Sequence, residues 1–89
     1  QLRLIAGVKL DSDAEAAAVL EQLSSLPNVA DVQALGVRGN GHRFAISAEG
    51  EHDLSQSIFQ WASGSGKTLV ELRRDVMDLE KIFHKLTQY

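Results

Sequence analysis

With 89 residues the chain holds one domain, and a domain of this size hides only about 60–65% of the surface its unfolded chain exposes, so nearly every periodic apolar side chain must enter one core and little remains for a deep private pocket. The absence of cysteine excludes a disulfide framework, thiolate metal sites and catalytic cysteine chemistry, and no apolar run reaches the ~18–20 residues of a membrane-spanning helix. A net charge of −3 and a pI near 5.5 argue against a nucleic-acid binder, since Arg73-Arg74 and a few scattered lysines make no basic stripe.

The first element spans Leu2 to Lys9, where Leu2, Leu4, Ala6 and Val8 share one parity and Arg3, Ile5 and Lys9 the other, the pattern of a half-buried strand. Ser12 and Glu15 then stand in capping-box spacing at the head of a helix. Its inward face carries Ala16, Val19, Leu20 and Leu23, with Glu15, Gln22 and Ser25 turned away and Leu26 tucked under its end. Pro27-Asn28 stops it, because proline cannot continue the hydrogen-bond ladder and pushes Leu26 out of helical geometry.

Val29 to Leu35 is predicted as a strand with Ala30, Val32 and Ala34 opposite Asp31, Gln33 and Leu35. Gly39-Asn40-Gly41 supplies a turn of residues that tolerate positive φ, and Arg43 to Ala48 returns with Phe44, Ile46 and Ala48 on one parity. The two segments form a hairpin, with Val29 to Leu35 at a sheet edge. A second helix runs from Asp53 to Ser63, with Leu54, Ile58, Trp61 and Ala62 facing in, Phe59 off that stripe, and Ser63-Gly64-Ser65-Gly66 past its end. Lys67 to Arg73 is the last strand, Val70 and Leu72 pointing one way and Leu69, Glu71 and Arg73 the other. The order predicts an α+β fold: a ferredoxin-like β-α-β-β-α-β sandwich, with a four-stranded antiparallel sheet, both helices on one face and an additional C-terminal helix.

Motifs that could carry chemistry are few. Gly64-Ser65-Gly66-Lys67-Thr68 resembles the tail of a phosphate-binding loop, but Trp61 stands where the first glycine belongs, and the segment leaves a helix and enters a strand, the reverse of what anion binding at a helix N-terminus needs. A helix-to-strand turn is the reading adopted. His42, His52 and His84 fall in three elements without metal-ligand spacing and are read as solvated surface. No serine stands in a glycine-flanked elbow, and Glu49, Glu51 and Asp53 cluster where acids favour a helix N-terminus, with a weak cation site as the alternative.

The chain closes on Asp78 to Thr87, where Leu79, Ile82, Phe83 and Leu86 recur at i, i+3, i+4 and i+7 and predict an amphipathic helix with Glu80, Lys81 and His84 on its other face. Asp78 is placed to cap its first turn, and Lys85 meets the negative end of its dipole. This stretch, with Leu79-Glu80, Ile82-Phe83 and Leu86-Thr87, resembles the Leu-Glu-x-[Val/Ile]-Phe-x-x-Leu-Thr signature that closes many ATP-binding subunits of type-2 ABC exporters, of the gliding-motility and drug-export kinds. The order of elements upstream agrees, including the Pro-x-Val-x-x-Val entry at Pro27, Val29 and Val32, although only the last ten residues or so are specific.

The resemblance implies a non-catalytic accessory domain that comes after a nucleotide-binding domain lying before Gln1. It implies no cofactor in these 89 residues, with ATP and Mg held by the upstream domain. The expected partners are that upstream domain, a second ATPase subunit in a homodimer and the membrane permease subunits, with no nucleic acid and no catalytic or metal-binding residue in this chain. The location implied is cytoplasmic, at the inner face of the membrane. Leu79, Glu80, Ile82, Phe83, Leu86 and Thr87 are the candidate packing and interaction residues. Read without the resemblance, the alternative is a free-standing ferredoxin-like small-molecule sensor or dimerisation domain, with backbone ligands from the glycine-rich connections around Gly39-Asn40-Gly41 or Gly64-Ser65-Gly66. A catalytic role is the remaining case, and no pair of titratable groups stands in catalytic spacing.

Overall fold

The computed structural model describes residues 2–75. Their elements are β1 (Arg3–Lys9), α1 (Asp13–Ser24), β2 (Val29–Arg38), β3 (Gly41–Ala48), α2 (Ser55–Ser65) and β4 (Thr68–Arg74). The strands form one antiparallel sheet in the order β2-β3-β1-β4, which places β2 at an edge as expected and matches the ferredoxin-like arrangement. The expected closing helix and its candidate residues Leu79, Glu80, Ile82, Phe83, Leu86 and Thr87 lie outside the described residues.

Local chemistry explains where the helices begin and end. The Ser12 hydroxyl accepts the Glu15 amide at 3.2 Å, satisfying an otherwise orphaned donor of the first turn, while the Glu15 carboxylate reaches back to the amide of Asp11, just before the cap, at 3.5 Å. At α2 the Asp53 carboxylate accepts both the amide and the hydroxyl of Ser55, at 3.0 and 2.7 Å, and the helix starts at Ser55 rather than at Asp53. Gly64 stays helical. Gly66, with φ of 68°, is the residue that turns the chain, its own amide and that of Lys67 closing on the Ser63 and Ala62 carbonyls.

Both helices pack on one face of the sheet. Leu4, Ala6 and Val8 of β1 and Phe44, Ile46 and Ala48 of β3 meet Val19 and Leu23 of α1 and Leu54 and Ile58 at the head of α2. Trp61 packs at the margin of this core, and its indole donates to Gln22 at 2.9 Å, tying α2 to α1. Fully burying a valine, leucine, isoleucine or phenylalanine side chain stabilises by about 1.5–3 kcal/mol, so the larger members of this cluster dominate the energetics.

Three readings of parity need correction, two of them because paired strands slip against each other. β1 is not half-buried: Ile5, on the side away from α1 and α2, is 3% exposed, while Arg3 and Lys9 of the same parity stay exposed at the strand's ends. In β2 the register shifts twice, leaving Ala30 and Leu35 as extra residues. Val29 and Val32, three apart, therefore both pack on the core while Ala30 stays exposed. In β4 a shift opposite Gly7 and Val8 leaves Val70 as the extra residue. Leu69 and Leu72 accordingly reach the core and Val70 remains 47% exposed, the reverse of a strict alternation.

Candidate functional site

The face turned away from α1 and α2 is built from the opposite parity: Arg3, Ile5 and Gly7 of β1, Arg43, Ala45 and Ser47 of β3, and Glu71 and Arg73 of β4. At its β2-β3 hairpin end, Arg38, Asn40, Arg43, Val70, Glu71 and Arg73 line a cleft of about 680 Å³. Gly7 stands in register between Arg43 and Glu71, and a Cβ there would lie 3.1 Å from that of Glu71 and 3.2 Å from a Val70 methyl, so a side chain at this position would crowd the β4 residues that line the cleft.

Across Gly7 the Arg43 guanidinium donates from Nε and Nη2 to the two Glu71 oxygens, at 3.1 and 3.3 Å. Arg73, two residues along β4, donates to the same carboxylate at 2.9 Å. The Arg73 bond first, and then the charge and hydrogen bonds of Arg43, hold the Glu71 carboxyl below its ordinary range. An ionised carboxylate held this way is a poor proton acceptor near neutral pH.

Arg38 enters from the end of β2 and pairs with no carboxylate among the described residues, so the cleft carries three guanidinium groups against one acid. Such a lining can receive an anion or a carboxylate-bearing side chain through planar, two-pronged contacts. Among the described residues that line the cleft there is no hydroxyl or thiol nucleophile.

The remaining sequence candidates do not converge on this cleft. The Gly64-Ser65-Gly66-Lys67-Thr68 stretch is the expected helix-to-strand turn, and its amides at Gly66 and Lys67 are spent on the end of α2. His42 departs from the solvated reading. Its side chain is only 13% exposed, with Nε2 3.6 Å from an Asp13 oxygen, because it shares the parity of Phe44 at the helix-covered end of β3. His52 is exposed, and His84 lies outside the described residues. Asp53 is occupied by Ser55 and approached by Arg74, and among the described residues no group of His, Cys, Asp or Glu could hold a metal ion. Nor is any described helix long and apolar enough to cross a membrane.

The cleft was not foreseen from the sequence, where Arg73-Arg74 registers only as a pair. Strand alternation separates the two, sending Arg73 to the cleft and Arg74 toward Asp53. The usable signal was parity, since Arg43 alternates with Phe44 and Arg73 with Leu72. Compared with models of known protein families and with curated proteins, the chain matches none.

Proposed function

We propose that this chain is a non-catalytic interaction domain, the accessory domain of an ABC exporter ATP-binding subunit whose full length couples ATP hydrolysis to export. The observation that carries the reading is the arginine cleft: a recognition surface rich in guanidinium, with Glu71 already paired to two of its arginines. Arginine is enriched at protein interfaces because its planar fork binds carboxylates two-pronged and its stem adds apolar contact. In this role the domain sits in the cytoplasm beside its own nucleotide-binding domain, which holds ATP and Mg. It presents the cleft to acidic side chains of the second ATPase subunit, and the permease subunits hold the assembly at the membrane.

The test is Arg38→Glu in the full-length subunit, with Phe83→Ala beside it. Arg38 is exposed and unpaired among the described residues, so folding stays intact. Subunit association weakens by about tenfold, the ~1.4 kcal/mol expected of a central charged contact, and the ATPase rate changes with it. Wild-type association and ATPase rate in both variants would remove the reading.

One observation favours the sensor reading as a second possibility. A cleft of about 680 Å³ falls within the range of small-molecule sites. Its lining would select an anionic metabolite, and titration calorimetry with di- and tricarboxylates and with phosphate esters separates the two, because the accessory-domain reading requires no specific heat from any of them.

A further inference from the structure

One edge of the sheet is the long strand β2. Among the described residues no strand pairs with the side of β2 that faces away from β3, and Leu35 and Val37 on this strand are 47% and 64% exposed. Asp31 and Arg38, near its two ends, are also exposed, and neither makes an ion pair among the described residues. An open strand edge of this kind is a template for another strand.

The sequence of β2 is complementary to itself. When two copies pair antiparallel about a two-fold axis between Ala34 and Leu35, Asp31 of each stands opposite Arg38 of the other, and Val32 opposite Val37. The axis runs through the sheet from face to face, so residues opposite each other must share a face. In an unbroken strand Asp31 and Arg38, an odd number of residues apart, would lie on opposite faces. The extra residue Leu35 corrects this. Asp31 pairs with Ser47 and Arg38 with Gly41, both on the face turned away from α1 and α2, while Val32 and Val37 pair with Ile46 and His42 on the other. The backbone agrees. Arg38 and Gly41 flank the two-residue Gly39-Asn40 turn, so the Arg38 amide and carbonyl face β3 and those of Val37 point outward, as do those of Val32 by the same alternation. We propose that two copies of this chain join β2 to β2 in this register, making one continuous sheet with an Asp31 to Arg38 pair on each side of the axis. This inference rests on the reading above in taking a second subunit as the partner, and it names the acid that Arg38 meets as Asp31 of that copy.

Sedimentation equilibrium of the whole 89-residue chain tests it. The expected result is a reversible dimer. Arg38→Glu and Asp31→Arg each weaken it by about tenfold, because two opposite-charge pairs become two like-charge pairs, and the two changes together restore wild-type association. In a chain naturally without cysteine, Ala34→Cys beside the axis gives a covalent dimer with a short bismaleimide, and Gln60→Cys on the exposed side of α2 gives none. In the unaltered chain the Val32 and Val37 amides exchange more slowly as concentration rises. A monomer at every concentration would overturn the proposal, as would a dimer that the paired reversal fails to restore, or equal cross-linking from both cysteines. Lost association in the full-length Arg38→Glu subunit beside a monomeric isolated chain would strike this pairing and leave the exporter reading standing. A dimeric isolated chain that obeys the charge reversals, beside a full-length subunit indifferent to Arg38→Glu, would do the reverse.

Discussion

The two faces of the sheet solve the same problem with different materials. On one, even-numbered residues of β1 and β3 meet two amphipathic helices, and the chemistry is almost wholly apolar. On the other, the odd-numbered residues alternate arginine with isoleucine, glycine and alanine, and Glu71 gathers two guanidinium groups over a bare Gly7 backbone. The difference teaches that a face turned away from α1 and α2 is not thereby a solvated face. Its centre is as buried as the core, while its hairpin end is open, polar and positively charged.

The sharpest comparison uses one residue type on both faces. Ile46→Ala removes a side chain buried among α1, α2 and β1 and is expected to cost about 3–4 kcal/mol in urea unfolding, within the usual span for emptying a core site. Ile5→Ala, one residue along the neighbouring strand from the partner of Ile46, is expected to cost about 2–3 kcal/mol. A cost near zero for Ile5→Ala would return that face to solvent and break the comparison.

A smaller effect is expected at Gly41. A Cβ there would stand 2.7 Å from a Val70 methyl, so Gly41→Ala must displace the Val70 side chain, at about 1–2 kcal/mol. Val70→Ala in the same chain should recover most of that loss. Failure of the double variant to recover it would place the strain in the backbone instead.

The smallest effect concerns pH. Glu71 has its folded pKa depressed by Arg73 and Arg43, so its contribution to stability is present above the ordinary carboxylate range and is lost as pH falls through the depressed value. Glu71→Gln should flatten that part of the acid limb of a stability-versus-pH curve while leaving the neutral region little changed, because these ion pairs are partly exposed and screened. An acid limb identical to wild type would mean that the two arginines do not hold this carboxylate in solution.

Much of the fold was legible in the sequence because its signals are local. Ser12 with Glu15, Pro27-Asn28, Gly39-Asn40 and Gly66 each act through neighbours a few residues away, and each begins, ends or turns an element as its chemistry requires. Strand alternation failed wherever two strands slipped against each other, at Ala30, Leu35 and Val70, since a bulge is a property of a pair and neither partner announces it alone. The candidate site was legible only in part. Nothing in the spacing of Arg38, Arg43 and Arg73 marks them as neighbours.

Sequence alone was enough for the order of elements, the β2 edge, the inward stripes of α1 and α2 and the reading of Gly64 to Thr68 as a turn, because periodicity and caps depend on contacts within a few residues. Which residues share the arginine cleft was decided only when β1 settled between β3 and β4 and brought distant side chains into register, and the burial of Ile5 beside that of Ile46 is likewise a tertiary fact. Pairing between strands is a long-range choice, and its consequences appear only once the whole sheet is assembled.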